Sequence, residues 1–353
     1  MRWTERRAPL LLLHDDEENV GIGEAWSRQG EIAQILDCLA EVGRTLVGRD
    51  ADDGTIVCTH PERFPPWVAP AAASAVDMAL HDLRAKRAGV PLWRTLRGTR
   101  SDGRAAVYAS GGLYRDGATA ADLAREMRSD VAAGFTAVKM KIGALPLADD
   151  LARVRAVHQA IGDDVALWVD AVNQLAPESA VEACRALADC GAHAIQAPVA
   201  FDDLATMAQV NRHALPVIAA EGEHAHERFR AMLDAQAVGC LQFCLGLVGG
   251  FSGGARLAAV AAAHGVPSTP QCFSTAVMQA ASLHFGAAHR SVATVEYHRF
   301  HDHLAALLPA SMRNVVDGHA VLGDEPGLGI ASIEAGPQPC GGEVVCHAAI
   351  GVH

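Results

Sequence analysis

Two of the three lysines in this chain lie two residues apart, in the segment AVKMKIG at residues 137–143. Of the 29 residues that are lysine or arginine, the other 26 are arginine. In a β-strand this i, i+2 spacing places the side chains of Lys139 and Lys141 on one face. A lysine that is buried or set beside another cation loses its proton more easily and can act as a base near neutral pH. The alternative is a pair of solvated lysines on an edge strand, which the scarcity of lysine elsewhere disfavours.

The composition indicates a globular protein with a large core and excludes several classes of partner. Half of the 353 residues are hydrophobic, 20% are charged and the formal net charge is −12. This negative charge argues against binding to nucleic acid or to an anionic membrane surface, and no apolar run reaches the ~20 residues needed to span a bilayer. The nine cysteines form no CxxC pair, as is typical of reduced thiols, so we expect a cytoplasmic protein.

The elements that position the two lysines follow from an alternation of short apolar runs and Ala-rich helical runs. Before the alternation we expect a hairpin over 9–26, a helix over 30–47 that ends at Gly48, a Pro-rich loop over 61–70 and a helix over 71–89. From residue 104 onward, strand–helix units of about 25–30 residues repeat seven times and are followed by an eighth strand. The pattern predicts an α/β fold with parallel strands closed into a (β/α)7β TIM-like barrel.

The chain therefore divides into three predicted segments. They are an α+β capping domain over residues 1–100, the barrel over 104–305 and a C-terminal tail over 306–353 that returns to complete the cap. Barrels of this kind carry their chemistry at the C-terminal ends of the strands. Those ends hold, in chain order, Ser110, Lys139, Lys141, Asp170, Gln196, Glu221, Cys244, Gln271 and Glu296. Lysines facing carboxylates are suited to removing a proton from carbon beside a carboxylate, with a divalent cation on oxygen ligands to stabilise the enediolate.

The order and spacing of these motifs resemble the enolase superfamily, and in particular its mandelate racemase / acid-sugar dehydratase branch. Four motifs carry the resemblance. The cap helix of the family resembles SAVDMALHDLRAKRAGVPLWRTLRG at 74–98, and its first barrel strand resembles YASGG at 108–112. The strand of its first metal ligand resembles LWVDAVNQ at 167–174, and its C-terminal return resembles PGLGI at 326–330. The resemblance covers most of the chain. It implies a Lys base with Mg²⁺, a small carboxylate substrate such as a sugar acid or hydroxy acid, and a homo-oligomer.

The resemblance also implies roles for the charged residues at the site. Lys141 corresponds to the base. Lys139 corresponds to the partner that depresses the pKa of the base and contacts the substrate carboxylate. Glu296, in TVEYH, corresponds to the glutamic acid that hydrogen-bonds the same carboxylate.

The metal ligands implied by the resemblance are Asp170, Gln196 and Glu221. Asp170 stands in D-A-V-N, where the family usually has D-A-N, and Gln196 stands where the family has a glutamate. An amide oxygen can bind Mg²⁺ but attracts it less than a carboxylate does, so we expect the ion to be weakly bound or absent. Glu223 is the alternative to Glu221, because it follows a glycine as the family's third ligand does.

The substrate-binding side departs further from the family. Cys244 and Gln271 occupy the places of the Asp–His pair that serves this branch as a second acid and base, and Gln cannot exchange protons at neutral pH. Trp26 lies in the position of the specificity loop of the cap, although packing within the cap explains it equally well. Cys272 is interpreted as a buried apolar residue. The remaining histidines of interest are interpreted as solvated loop residues, with lining of the barrel mouth as the alternative; they are His224, His226, His298, His301 and His303.

Three hypotheses for the function follow. The first is a Mg²⁺-dependent lyase (a dehydratase) or an isomerase (a racemase or epimerase) that uses Lys141 as its base. The second is a catalytically impaired pseudoenzyme that binds a carboxylate ligand, since the Asp–His pair and one metal ligand are replaced. The third is a structural role, which the retained ionisable groups disfavour because desolvating unused charges is costly.

Overall fold

The computed structural model describes residues 7–27, 32–52, 63–96, 102–299, 307–331 and 333, together with the strand residues 336–337, 343–344 and 350–351. The first elements form the cap. They are β1 (Leu10–His14), β2 (Val20–Glu24), α1 (Ile32–Leu46), α2 (Val68–Arg87) and α3 (Leu92–Thr95). β1 and β2 pair antiparallel, which confirms the predicted hairpin. Within the described residues, no helix is long and apolar enough to cross a membrane.

Eight parallel strands form the second unit. The strands are β3 (Arg104–Ser110), β4 (Ala137–Lys141), β5 (Ala166–Asp170), β6 (Ala194–Gln196), β7 (Val217–Ala219), β8 (Cys240–Cys244), β9 (Ser268–Gln271) and β10 (Val295–His298). Each strand from β3 to β8 pairs in parallel with the next, and β10 pairs in parallel with β3. A parallel bridge between Ser268 and Val292 joins β9 to the segment before β10. The sheet is therefore curled onto itself, as the (β/α)7β prediction requires.

A helix connects each strand of the barrel to the following one. These helices are α4 (Ala120–Ala132), α5 (Leu147–Ile161), α6 (Ala180–Asp189), α7 (Leu204–His213), α8 (His226–Asp234), α9 (Gly250–Ala263) and α10 (Ala276–Ala288). The strands are buried on both faces, and their apolar residues join those of the helices in one core that extends into the cap. Parallel strands covered by helices are expected to be largely apolar, and the strands that depart most from this are β9 (Ser-Thr-Pro-Gln) and β10 (Val-Glu-Tyr-His).

The C-terminal tail contacts both units. β11 (Val315–Val316) and β12 (His319–Val321) form an antiparallel pair, and β12 adds antiparallel to β3 of the barrel. β13 (Gly336–Pro337) pairs with β14 (Glu343–Val344), and β15 (Ile350–Gly351) pairs in parallel with β1 of the cap. The tail thus completes the cap as predicted, while the residue boundaries of the three segments stay predictions.

One helix begins earlier than its sequence pattern predicts. We expected a loop over residues 61–70, but α2 already begins at Val68 and includes Pro70. Proline is tolerated in the first turn of a helix, because the N–H groups there have no partner within the helix. Proline content alone therefore placed the start of the helix too late.

The third lysine, Lys86, forms an ion pair with a carboxylate that connects the elements of the cap. Lys86 in α2 forms an ion pair of 2.8 Å with the buried carboxylate of Asp82. The same carboxylate accepts hydrogen bonds from the backbone N–H groups of Ile22 in β2, at 2.8 Å, and of Leu328 in the C-terminal return, at 2.7 Å. Burial raises the pKa of Asp82, although the charge of Lys86 opposes this. The Asp82 carboxylate thus joins the β1–β2 hairpin, helix α2 and the C-terminal return.

A second buried carboxylate joins the cap to the barrel. Glu24, the last residue of β2, accepts hydrogen bonds from the Thr275 hydroxyl at 2.6 Å and from the Met278 backbone N–H at 2.9 Å. Both donors lie at the N-terminus of α10, where backbone N–H groups and the helix dipole favour a negative charge. This contact fixes the loop after β2, including Trp26, over the ends of the last barrel strands.

Candidate active site

The two lysines of β4 meet at one carboxylate. The Lys139 side chain is 1% exposed, and its Nζ lies 3.6 Å from Asp170 Oδ2, the same oxygen with which Lys141 Nζ forms an ion pair. Asp170 ends the neighbouring strand β5, opposite Lys141 in register. The i, i+2 spacing on one strand face predicts this meeting. The two lysines differ in access, because the Lys141 side chain is 24% exposed and so can reach a ligand in the barrel mouth.

Lys139 is surrounded by acceptors. Its Nζ donates to Glu296 Oε1 and to Gln196 Oε1, both at 2.6 Å. Burial by itself would lower the pKa of Lys139, but the charges of Glu296 and Asp170 outweigh burial and raise it. The expectation that paired lysines lower each other's pKa is therefore wrong for Lys139. The sequence shows the second lysine but not how closely the carboxylates approach, and that distance decides the sign.

The three predicted metal ligands lie on neighbouring strands. Asp170 and Gln196 end β5 and β6, and Glu221 follows β7 by two residues. Gln196 connects the lysines to Glu221, since its Oε1 accepts from Lys139 and its Nε2 donates to Glu221 Oε2 at 2.8 Å. Burial and the negative charge of Asp170 raise the pKa of Glu221, against the opposing effect of the two lysines. The structure thus brings all three oxygen-bearing side chains together.

Glu223, the alternative to Glu221, is engaged elsewhere. Its Oε1 accepts from the backbone N–H groups of His224 and Ala225 at 2.8 and 2.9 Å, and its Oε2 accepts from Arg228 Nε at 2.5 Å. These bonds hold Glu223 at the start of α8. Of the two glutamates, Glu221 is the one that contacts Gln196.

Glu296, on β10, completes the charged group. It accepts from the Ser110 hydroxyl at 2.8 Å, from Lys139, and from the backbone N–H of Cys272 at 3.0 Å. Burial opposes ionisation of this carboxyl, but the charges of Lys139 and His298 hold its pKa well below the usual range. Glu296 is therefore an ionised, fully partnered carboxylate beside the buried lysine.

His298 lies among the charged residues at the end of the barrel. The favoured interpretation, a solvated loop histidine, is wrong, and the alternative of a residue that lines the barrel mouth fits better, because His298 ends β10, is 8% exposed and has its Nε2 3.6 Å from Glu296 Oε2. Its ring also packs on Phe273, with ring centroids 5.3 Å apart. The alternation of the strand could have shown this, because Glu296 and His298 are i, i+2 residues on one face. The prediction ended the strand one residue too early, at Tyr297.

The other two predicted loop histidines that the structure describes, His224 and His226, lie at the start of α8. His226 Nε2 lies 3.0 Å from the Val248 carbonyl oxygen, and His224 is partly buried beside Glu223. His301 and His303 lie outside the described residues. Burial, then the charge of Glu296, raise the pKa of the Cys272 thiol well above its usual value, so the thiol stays protonated. This agrees with its interpretation as a buried apolar residue.

The predicted substrate-binding residues lie at the ends of β8 and β9. Cys244 is fully buried, and Gln271 is 3% exposed, with no hydrogen-bond partner for its buried Oε1 among the described residues. The Trp26 backbone N–H donates to the Gly246 carbonyl at 2.8 Å, and its indole Nε1 donates to the Phe273 carbonyl at 3.3 Å. Trp26 is therefore packed against the ends of both strands, next to Gln271.

The donor set suits a hard cation only in part. Among the described residues, no three His, Cys, Asp or Glu side chains are grouped so that they could hold a metal ion. This follows from Gln196, which leaves Asp170 and Glu221 as the two carboxylates beside an amide oxygen. All three are nevertheless oxygen donors of the kind that Mg²⁺ takes. Burial is the main cause of the raised pKa of Glu221 and the charge of Asp170 adds to it, so a cation beside both carboxylates would favour their ionised forms.

Comparison with known proteins agrees with this geometry. Residues 4–96 match the family model "Mandelate racemase / muconate lactonizing enzyme, N-terminal domain", and residues 122–335 match "Enolase C-terminal domain-like". The chain belongs to the mandelate racemase / muconate lactonizing enzyme family. The resemblance to the enolase superfamily inferred from the sequence is thereby confirmed.

Individual relatives of the family are similar over most of this chain. The sequence is 30% identical over 347 residues to D-galactarolactone cycloisomerase of Agrobacterium fabrum, covering 94% of this chain and 90% of the relative. It is 30% identical over 263 residues to arabinonate dehydratase of Saccharolobus solfataricus, covering 74% and 70%. A crystal structure of a racemase from Streptomyces coelicolor A3(2) with bound magnesium matches with a TM-score of 0.77 at 26% identity, covering 92% of this chain and 96% of that chain. These similarities support an enzyme of the lyase or isomerase type.

Proposed function

We propose that this chain removes the α-proton of a hydroxy-carboxylate, an acid sugar, with Lys141 as the base, leading to dehydration or epimerisation. The observation that carries the proposal is the convergence of two lysines and three carboxylates at one end of the barrel. Lys139 contacts Asp170 and Glu296, Lys141 contacts Asp170, and Gln196 links Lys139 to Glu221. A proton-abstraction site needs such opposed charges around a ligand that is itself an anion.

Each charged residue has a distinct task in the proposed reaction. Lys141 accepts the α-proton, since its side chain is the more exposed of the two lysines. Lys139 stays charged and binds the substrate carboxylate on which negative charge develops. Glu296 is ionised and keeps the Lys139 ammonium in place, so it acts on the substrate through Lys139.

Asp170, Glu221 and the carbonyl oxygen of Gln196 would hold a magnesium ion. Three carboxylates already face two ammonium groups here, and an anionic substrate adds further negative charge. When bound, Mg²⁺ would supply Lewis-acid stabilisation of the charge that develops on the substrate. The Gln196 side chain would have to release its hydrogen bond with Lys139 or with Glu221 to do so, which supports weak binding.

Acid sugars are the first substrates to test. The relatives named above act, by their names, on arabinonate and D-galactarolactone. In addition, Gln271 Oε1 is a buried acceptor that has no partner in the part of the chain that the structure describes, and a substrate hydroxyl would be a suitable donor. A polyhydroxylated acid offers such a donor next to its carboxylate.

The proposal is tested by hydrogen exchange at the α-carbon. Arabinonate, gluconate, galactonate and galactarate are incubated in D2O with the protein and Mg²⁺, and loss of the α-proton signal is followed by NMR. We expect exchange for at least one of them. Calorimetric titration of metal-stripped protein with Mg²⁺ accompanies the screen, with Asp170→Ala as the variant expected to bind less. Absence of exchange and of Mg²⁺ binding would contradict the proposal.

One observation favours the pseudoenzyme as the second candidate. Gln196 satisfies Lys139 through its oxygen and Glu221 through its nitrogen, so the site is internally bonded without a cation. Such a protein binds a carboxylate at the lysines but does not exchange its α-proton. A thermal shift with the four acids, combined with no exchange in D2O, is the result that this candidate predicts.

Two further expectations stay predictions. The family resemblance implies a homo-oligomer, which light scattering on the purified protein tests. The cysteine pattern predicts a cytoplasmic location, which fractionation of cells that express the chain tests. Neither changes the chemistry proposed for the site.

A further inference from the structure

The site lacks the ionisable pair that its family uses beside the lysine base. Gln271 and Cys244 end the two strands where a histidine and an aspartate are expected. Neither an amide nor a buried thiol delivers a proton at neutral pH. A β-hydroxyl, however, is a poor leaving group unless an acid protonates it. If dehydration occurs here, another residue at the mouth has to supply that proton.

His298 lies on the next strand of the barrel, level with the lysines. In the sheet register His298 is opposite Ser110 of β3, and Ser110 is opposite Lys139 of β4. The backbones of β10 and β4 are therefore about 10 Å apart, two strand spacings. Lys141 lies on the same face of β4 as Lys139, two residues closer to the C-terminal end of the strand and so to the mouth of the barrel. A lysine and a histidine that extend inward over this span leave room for two adjacent carbon atoms of a substrate.

The backbone of His298 is held firmly on both sides. The His298 backbone N–H donates to Gln279 Oε1 at 3.2 Å. The Gln279 side chain in turn donates from its Nε2 to the Glu296 backbone carbonyl at 2.9 Å. The next residue, Arg299, donates its backbone N–H to the Ser110 carbonyl at 3.1 Å and its Nε to Asp130 at 2.9 Å. The end of β10 is thereby anchored to α10, β3 and α4.

The imidazole itself faces charged groups and one ring. Glu296 Oε2 lies 3.6 Å from its Nε2, and the Phe273 ring covers it. Burial lowers the pKa of His298, the carboxylate of Glu296 raises it, and the charges of Lys139 and Lys141 lower it again; the net shift is downward. Once protonated, this imidazolium is a stronger acid than that of a solvent-exposed histidine. Glu296 orients it, as a carboxylate orients the histidine of an acid/base pair.

We infer that His298, paired with Glu296, is the acid that protonates the departing β-hydroxyl, in place of the histidine missing from the seventh strand. The inference rests on the proposed function. Lys141 accepts the α-proton, and the electron pair of the broken C–H bond is first held in the enediolate. That electron pair then forms the Cα=Cβ double bond as the C–O bond breaks. His298 gives its proton to the leaving hydroxyl, which departs as water. The enol then becomes the 2-keto-3-deoxy acid, and Lys141 and His298 return to their starting states by exchange with solvent.

The two proton transfers can be measured separately on one substrate. α-Proton exchange in D2O reports on Lys141, and formation of the 2-keto-3-deoxy acid, trapped as its semicarbazone, reports on His298. The probes are arabinonate, gluconate, galactonate and galactarate. The test variants are His298→Asn and His298→Gln. His264→Asn is the matched control, because His264 contacts Asp234 on the surface at the end of α9.

For His298→Asn and His298→Gln we expect formation of the keto acid to fall by at least about 100-fold, as for loss of a general acid. Exchange of the α-proton should stay within a few-fold of the wild-type rate, and His264→Asn should leave both rates unchanged. A purely structural role would lower both rates together. Circular dichroism and melting temperature establish that each variant is folded.

The possible failures are distinguishable. If the wild-type protein forms keto acid and the His298 variants form it as fast, or lose exchange in equal measure, the inference is overturned and Lys141 keeps its role. Exchange without loss of water in the wild type also overturns the inference. If the wild type neither exchanges nor dehydrates any of the four acids, the proposed function itself fails and this inference fails with it.

Discussion

The mouth of the barrel has a charged half and a neutral half. The charged half, at the ends of β10, β3, β4 and β5, contains Glu296, Lys139, Lys141 and Asp170, and each of these has a charged partner. The neutral half, at the ends of β6, β8 and β9, contains Gln196, Cys244 and Gln271. Glu221, after β7, accepts a hydrogen bond from the Gln196 amide, whose oxygen in turn accepts from Lys139 of the charged half.

The difference separates the groups that the proposed reaction uses from those that it does not. Lys141, Lys139 and Glu296, the groups proposed for removal of the α-proton, all lie in the charged half, and each has a charged partner. The neutral half offers hydrogen bonds but no proton at neutral pH. His298 lies at the edge of the charged half, so any second proton transfer is expected from there.

The largest effect of breaking this division is expected at Glu296. Glu296→Gln leaves the buried ammonium of Lys139 without the carboxylate that it contacts at 2.6 Å. We expect the free energy of unfolding to fall by about 3–5 kcal/mol, as when one partner of a buried ion pair is removed. Urea denaturation measures it.

The matched variant in the neutral half is Gln271→Leu. It replaces a buried amide whose Oε1 has no hydrogen-bond partner, so its cost should stay within about 1 kcal/mol. Equal losses of stability in the two variants would show that the two halves do not differ in electrostatic coupling.

The next effect concerns the cation. Glu221→Gln removes one of the two carboxylates of the proposed site, whereas Glu223→Gln removes a carboxylate that is bonded to Arg228 and the start of α8. We expect the first variant to weaken Mg²⁺ binding by at least about tenfold, since even outer partners of metal ligands contribute 10–100-fold. The second should change it little. Calorimetric titration compares them, and the opposite order would assign the ligand to Glu223.

Gln196→Glu sharpens the comparison by giving the neutral half a charge. It provides a third carboxylate beside Asp170 and Glu221, and ligand charge sets the affinity of such sites. We expect Mg²⁺ to bind roughly tenfold more tightly in the same titration. Without Mg²⁺ the variant should be less stable than the wild type, because its new carboxylate faces Glu221, to which Gln196 now donates at 2.8 Å. Unchanged affinity would mean that position 196 does not contact the ion.

The smallest effect is expected at Trp26, between the cap and the neutral half. Trp26→Phe removes the indole N–H that donates to the Phe273 carbonyl but keeps an aromatic ring. That hydrogen bond lies within the protein, so its loss should lower stability by about 1 kcal/mol; if Trp26 also contacts substrate, KM should rise as well, with kcat unchanged. A lower melting temperature with unchanged KM would assign Trp26 to packing alone.

The fold could be predicted from the sequence because its repeating units are local. Each strand–helix unit shows its own change from a short apolar run to an Ala-rich helical run, and all eight barrel strands were placed correctly. The errors occurred at element ends, where one residue decides the outcome. Pro70 suggested a loop although the first turn of α2 accommodates it, and His298 was assigned to the loop after β10.

The site could be predicted in composition but not in its electrostatics. The lysine pair, Asp170 and Glu296 follow from their places at strand ends, and the structure brings them together. The raised pKa of Lys139 depends on Asp170 and Glu296, which lie 31 and 157 residues away in sequence, so no local pattern shows it. The choice between Glu221 and Glu223 likewise depends on where Arg228 and Gln196 lie, since each attracts one of the two glutamates.

The most direct test of the charged half is the α-proton exchange rate of wild-type protein, Lys141→Ala and Arg125→Ala. Arg125 is an exposed basic residue on α4, paired only with Asp122 among the contacts described, and serves as the charge-matched control. In D2O with Mg²⁺, on whichever of the four acids exchanges, we predict that Lys141→Ala loses at least about 100-fold in rate while Arg125→Ala matches the wild type. Equal rates in wild-type protein and Lys141→Ala would contradict the assignment of Lys141 as the base.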